Sequence, residues 1–263
     1  MKNQSDFITS GGITSPGGFL AGATSAGIKY KNRPDLGILF SETTCTAAAV
    51  FSTNKVKAAP VILSQKRLQD GKARAVVINS GCANACTGER GMKDALEMAE
   101  LAAQHVRVAA DDVLVASTGV IGTMLPMESI GDGIAGLKLT AEGGRELARA
   151  IMTTDTVPKE VAVRADGFAI GGMAKGSGMI HPNLATMLCF LTTDANVETG
   201  FLKVALKEAV DASLNMVSID GDNSTNDMAL IMANGKAGGE PVAGGSRQAD
   251  IFQEALNKVC VHL

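Results

Sequence analysis

Two apolar runs rich in β-branched residues, ARAVVINS (73–80) and VLVAS (113–117), flank a stretch in which Met92, Ala95, Leu96, Ala99, Ala102, Ala103 and Val106 recur at three- and four-residue spacing. A strand hides alternate residues and a helix hides one stripe, so short buried strands set beside a helical period require a mixed α/β chain. Gly81 and Gly119 stop the two strands. The helical period returns at Leu202, Ala205, Leu206, Ala209 and Val210, again at Ile251, Phe252, Ala255, Leu256, Val259 and Cys260, and more weakly over 146–152. Glycine accounts for 30 of 263 residues, so many positions need tight turns or close backbone approach. The expected architecture is one layered α/β domain with sheets buried between helices. The last helical pattern starts near Ala249 and runs to Leu263 without a cap or polar tail, and reads as a truncation.

Charge and composition exclude several functions. Lys and Arg number 24 against 27 Asp and Glu, the net charge is −3, aromatics are 3%, and no basic block occurs. Nucleic acid and acidic membranes are therefore not expected partners. No apolar run approaches the roughly 20 residues that span a bilayer, and MKNQSDFITSGG lacks the apolar core of a secretory signal. A cytoplasmic location is expected. Cys45, Cys82, Cys86, Cys189 and Cys260 are an odd set that suits a reducing compartment. Cys82 and Cys86 have no second Cys or His pair nearby to complete a metal site, and His105, His181 and His262 are scattered, so no metal is expected.

Three glycine-bearing or acidic stretches invite a ligand. In GGMAKGSG (171–178) Lys175 precedes its glycine, which breaks the pattern of a nucleotide phosphate loop. In DGDNSTND (220–227) Thr225 stands where a calcium loop needs glycine, and Ile231 where it needs a bidentate glutamate. STGVIG (117–122) follows a strand, where Thr118 and backbone N–H groups could face an oxyanion; an ordinary turn fits the residues as well.

The stretch AKGSGMIHPNLATMLCFLTTD (174–194) changes from a glycine-rich half to a strand-like half at Ala185 and Thr186. A threonine hydroxyl is a weak nucleophile unless a base lies beside it, and a threonine at a chain N-terminus carries its own base. Its α-amine, with a pKa of about 7.7 to 8.0, is partly neutral at pH 7. An internal Thr186 reaches that state only if its hydroxyl attacks the Ala185 carbonyl and the chain is cut there. The residues alone also admit a plain loop running into a buried strand.

GMIHPNLATML matches the self-cleavage motif of one family, and it does not stand alone. GGITSPGGFLAGATSAGIKYKNRPDLGIL, STNKVKAAPV, NSGCANACTG, STGVIG, TTDTVPK, AKGSG and IDGDNSTND follow the same family's order from near residue 10 to near residue 230. On these motifs the chain resembles the ornithine acetyltransferase family, also called glutamate N-acetyltransferase, the bifunctional acetyltransferase of arginine biosynthesis. The resemblance implies a layered N-terminal-nucleophile-like fold, cut into an upstream segment 1–185 and a downstream segment 186–263 that assemble as a hetero-oligomer. It implies that Thr186 is the nucleophile and new N-terminus and Ala185 the last upstream residue. Thr118 and Gly119 would form the oxyanion hole, and Thr154 and Lys175 would bind the amino-acid substrate. The implied reaction is ping-pong transfer of acetyl from N-acetylornithine to glutamate through an acetyl-threonine. No cofactor is required, and the residues do not decide whether acetyl-CoA also serves as an acetyl donor. Family members continue past this point to a glutamate that supports proton transfer and to a C-terminal Asn/Thr segment that completes the pocket. The competing expectations are a related self-processing amidohydrolase or aminopeptidase, in which water is the acceptor, and an inactive fragment that acts only in assembly.

Overall fold

The computed structural model describes residues 5–176, 187–220 and 222–263. Its strands are β1 (Asp6–Phe7), β2 (Phe19–Thr24), β3 (Leu36–Phe51), β4 (Lys72–Cys82), β5 (Val113–Val120), β6 (Lys159–Ala165), β7 (Phe168–Lys175), β8 (Leu188–Val197) and β9 (Met228–Val242). Six α-helices join them: α1 (Ala59–Arg67), α2 (Gly88–Val106), α3 (Met127–Ala135), α4 (Gly144–Ala150), α5 (Thr199–Asp211) and α6 (Arg247–His262). Hydrogen bonds link the strands in the order β1-β6-β7-β8-β9-β3-β4-β5, with β2 also on β3. β4 and β5 are parallel and joined through α2, and β8 and β9 are parallel and joined through α5. All other pairs are antiparallel.

Strand β3 belongs to both halves of this order. Its first part, from Leu36 to Phe40, pairs with β2 and β4; after a register shift between Phe40 and Cys45, Thr46 to Phe51 pair with β9. A bulge bends a strand. The bend lets the two halves face each other, as the side-chain alternation records. Val76, Ile78, Leu114 and Ala116 from β4 and β5 share one buried cluster with Leu188, Phe190, Met228, Leu230 and Met232 from β8 and β9. The intervening Ala75, Val77, Val113 and Val115 turn the other way, onto Ala95, Met98, Ala99 and Ala102 of α2. Cys189, Leu191, Ala229 and Ile231 turn outward onto Leu202, Leu206, Phe252 and Leu256 of α5 and α6. The molecule is thus four layers, helix–sheet–sheet–helix, with three cores between them.

The strand and helix expectations hold at their centres and shift at their ends. β5 runs on through Gly119 to Val120, so Ser117 to Val120 are strand and not turn. The weak helix expected over 146–152 is displaced to Gly144–Ala150. The expected strand after Thr186 starts at Leu188, is buried through Thr193, and leaves Met187 just outside it. Among the described residues, no helix is long and apolar enough to cross a membrane.

Phe252 is fully buried, with the rings of Phe168 and Phe201 at 5.7 and 5.9 Å. Phe252→Ala removes the centre of the α5–α6 core and should cost about 3–5 kcal/mol, read as a lower urea midpoint at unchanged slope. A loss below about 1 kcal/mol would contradict the assignment of Phe252 to this core.

Candidate active site

Lys175, Leu188, Met228 and Phe51 stand side by side across β7, β8, β9 and β3. Just beyond this row β7 leaves through Gly176, β8 enters from Met187, β9 enters from Asp227, and β3 leaves through Ser52. Met187, Asp227 and Ser52 are knitted together. The Met187 N–H donates to Asp227 Oδ1 at 2.9 Å, the Met228 N–H donates to the Met187 carbonyl at 3.1 Å, and the Ser52 N–H donates to the Asp227 carbonyl at 2.9 Å. Thr186 precedes Met187 in sequence; Thr186 and Ala185 lie outside the described residues.

The segment before β9 also ties this end of one sheet to the end of the other. Asn226 Nδ2 donates to the Ala83 carbonyl at 2.6 Å, just past β4, and to the Ser117 carbonyl at 2.9 Å, in β5. Thr225 Oγ1 donates to Asn226 Oδ1 at 2.6 Å, and the Thr225 carbonyl accepts the Ala58 N–H at 2.9 Å where α1 begins. Ser117 leads into Thr118, which is buried, and Gly119, which is exposed. Gly119 has φ of 135°, and a Cβ there would fall 2.2 Å from the Gly81 carbonyl carbon and 2.5 Å from the Cys82 nitrogen. Only glycine fits, because both the backbone conformation and the packing exclude a side chain.

Charge is concentrated on the other side of Met187. Lys175 is 2% exposed, with Nζ 3.4 Å from Thr153 Oγ1. Thr154 sits in the same loop, exposed, and Asp155 follows it, buried. Asp155 accepts the Gly176 N–H at 2.9 Å and an ion pair from Lys159. Burial opposes ionisation of Asp155, but the Lys159 and Gly176 contacts hold its carboxyl below the usual range. Burial lowers Lys175 from 10.5 to about 8, against the pull of Asp155 and Asp227, with Lys159 adding repulsion. Burial raises Asp227 from 3.8 to about 7, against the Met187 N–H, the Ser224 hydroxyl and Lys175. Among the described residues, Asp227 Oδ2 has no hydrogen-bond partner. Lys175 and Met187 border a cavity of about 390 Å³ walled by Leu214, Val217, Ile219 and Leu263.

The residues expected from sequence fall into two groups here. Lys175 and Thr153–Asp155 frame one side, the Thr118–Gly119 end of β5 the other, and the 224–227 segment connects them. Asn226, Asp227 and Asp155 were not singled out by the sequence; their only signal was membership of IDGDNSTND and TTDTVPK. Residues 224–227 of DGDNSTND connect the sheets. Among the described residues no cluster of His, Cys, Asp and Glu could hold a metal. His105 is half-buried in the last turn of α2, His262 packs on Phe7 at 5.1 Å, and His181 lies outside the described residues.

The ArgJ family model matches residues 20–263. The chain belongs to the ArgJ family. It is 51% identical, over its whole length, to the arginine biosynthesis bifunctional protein ArgJ of Dehalococcoides mccartyi, and 52% identical over 96% of its length to that of Symbiobacterium thermophilum. It spans 66% and 65% of those two ArgJ proteins. The ArgJ crystal structure from Bacillus halodurans aligns with a TM-score of 0.65 at 42% identity, over 72% of this chain and 100% of that one. The Mycobacterium tuberculosis ornithine acetyltransferase solved with ornithine aligns with a TM-score of 0.64 at 39% identity, over 70% of this chain and 100% of that one. An Ochrobactrum anthropi aminopeptidase described as a variant of the Ntn hydrolase fold aligns with a TM-score of 0.54 at 13% identity, a likeness of fold alone. The layered N-terminal-nucleophile-like architecture expected from sequence is thereby shown.

The unfolded chain keeps a proton on Lys175 up to about pH 10.5, whereas the folded site releases it near pH 8. Between those values the unfolded state binds more protons, so stability rises with pH. The parent should therefore gain unfolding free energy from pH 8 to 10.5 relative to Lys175→Met, by on the order of 3 kcal/mol at most, in urea titrations across that range. Parallel pH profiles for the two proteins would contradict the burial of Lys175.

Proposed function

We propose that this chain carries the nucleophile half-site of an acetyltransferase of arginine biosynthesis, which moves acetyl from N-acetylornithine to glutamate after cutting itself between Ala185 and Thr186. The observation that carries the reading is the linkage of three elements around Met187, which follows Thr186 in sequence. These are the buried Lys175, the Asp227 carboxylate on the Met187 N–H, and the Thr118–Gly119 end of β5 held through Asn226.

In the first step the Thr186 hydroxyl oxygen attacks the acetyl carbonyl carbon of N-acetylornithine, and its proton passes to the Thr186 α-amine. The Thr118 hydroxyl and the Gly119 N–H face the oxygen that becomes negative. Collapse of the tetrahedral intermediate breaks the C–N bond, the α-amine returns the proton to the departing nitrogen, and ornithine leaves. In the second step the glutamate amine attacks the acetyl ester, the Thr186 oxygen is expelled and reprotonated, and N-acetylglutamate leaves. Donor and acceptor share an α-carboxylate, so one charge at Lys175, flanked by Thr154, serves both. The exchange is balanced without a cofactor, and acetyl-CoA would load the same hydroxyl from a different leaving group.

Two features support cleavage at this place. The solved ArgJ and ornithine acetyltransferase chains are each covered in full by 72% and 70% of this chain, and segment 1–185 is 70% of its 263 residues. The strand order also suits two pieces that stay together: β8 and β9 of segment 186–263 are hydrogen-bonded between β7 and β3 of segment 1–185. Separating them would break both ladders, so the pieces would behave as one hetero-oligomer.

Intact mass under denaturing conditions tests the reading. The parent should give two polypeptides split at Thr186, Thr186→Ala one uncut chain with no acetyl transfer, and Thr186→Ser partial cutting. A normally cut Thr186→Ala chain would show that another residue is the nucleophile.

A further inference from the structure

Two adjacent residues with no role in the reaction just described make the contacts that join its two halves. Asn226 is 6% exposed and Asp227 1%, and both sit where β9 begins. From Asn226, Nδ2 reaches the Ser117 carbonyl, the oxygen of the peptide whose nitrogen belongs to Thr118. The same nitrogen reaches the Ala83 carbonyl, so two strand ends are held from one point. From Asp227, Oδ1 takes the N–H of Met187, the amide that joins Met187 to Thr186. Because the two side chains are on consecutive residues, a shift of the oxyanion end is transmitted to the nucleophile end through a single peptide unit.

We propose that Asn226 and Asp227 are positioning residues that set Met187, the residue after the nucleophile in sequence, against the Thr118–Gly119 end of β5, with the Asp227 charge required for the Met187 half of that grip. The proposal rests on the reading of Thr186 as nucleophile. The charge has a function beyond acceptor geometry because an ionised carboxylate makes a stronger bond to an N–H than a neutral acceptor does. The charged groups that bear on Asp227 and on its partner are Lys175 from β7, Asp155 from the loop before β6, and Lys159 from β6. Loss of a proton from Asp227 near pH 7 strengthens the bond to Met187 and supplies Lys175 with a counter-charge, so cutting should accelerate as pH rises through 7. A misplacement of about 1 Å costs on the order of a hundredfold in rate.

The test uses this chain, made in a cell-free system so that cutting can be timed, with ¹⁵N-methionine or ¹⁵N-threonine label. In the uncut Thr186→Ala chain, which has no α-amine next to Met187, the Met187 amide signal, assigned by its loss when Met187→Leu is added, should titrate with a midpoint near 7. That titration should vanish when Asp227→Asn is added, which keeps shape and an acceptor oxygen but no charge, and in the chain that keeps Thr186 the cutting of Asp227→Asn should lose its rise through pH 7. Asn226→Ala should move the Thr118 amide signal, assigned by its loss in Thr118→Ser, and slow cutting on the order of a hundredfold while Met187 still titrates. A Met187 titration that survives in Asp227→Asn overturns the proposal. So does parental cutting in Asn226→Ala once its Thr118 signal has moved. An uncut parent overturns the nucleophile reading and the coupling built on it; the two amide signals decide separately whether the contacts exist.

Discussion

Strand β3 is the constraint on which the arrangement rests. It pairs with β2 and β4 before its register shift and, after it, with β4 again at Cys45 and Thr46 and with β9 from Thr46 to Phe51, so the two halves of the hydrogen-bonded order cannot drift apart. Its alternation then divides the apolar side chains: Ala47 enters the core between the sheets, while Ala48 packs outward against the α5 and α6 layer. Once the sheets are stacked, the ends of β5, β7, β8 and β9 become neighbours in space although 120, 175, 188 and 228 are far apart in sequence. The site is a consequence of that stacking, closed at its end by the hydrogen bonds of residues 224–227.

The electrostatics follow from the same burial. Lys175 and Asp227 are almost inaccessible at the rim of a core made of Leu188, Met228 and Phe190. Low polarity penalises both charges, which brings a lysine down to about 8 and an aspartate up to about 7. Groups with such values near neutrality are found where proton transfers are needed, although ion pairs held for structure share the property. Here the two lie on either side of Met187, and Lys175 also borders an open cavity. Lys175 thus borders the cavity, while Asp227 bonds the Met187 backbone.

Much of the frame was legible because local pattern and tertiary role coincide. ARAVVINS, VLVAS and LCFL are rich in residues that suit buried strands, and α5 and α6 bury the stripes their periodicity marks, whereas α2 buries Ala95, Ala99, Ala102 and Ala103 of its stripe together with Met98 and leaves Leu96 exposed. Strand β3 was not legible: SETTCTAAA at its centre is polar and alanine-rich, and only the neighbours on both sides make it a strand. β9 was hidden in the same way by NGKAGG, and α3 by two glycines inside nine residues. At the site, Thr118, Gly119, Thr154 and Lys175 were reached through motif resemblance, and Gly119 has a physical reason that no local pattern carries, the Gly81–Cys82 backbone against it. Asn226 and Asp227 act on carbonyls and amides 143, 109 and 40 residues away, a relation that periodicity cannot encode.

The proposed acetyl acceptor is the hydroxyl oxygen of Thr186, the residue before Met187 in sequence. The direct measurement is to mix the protein with N-acetylornithine in the absence of glutamate, quench with acid, digest, and locate the added acetyl group by peptide mass spectrometry. The account predicts one acetyl group on the peptide that begins at Thr186, removed when glutamate is added before the quench. Acetyl on Lys175 or on a cysteine, or release of ornithine with no acetylated peptide at all, would contradict it.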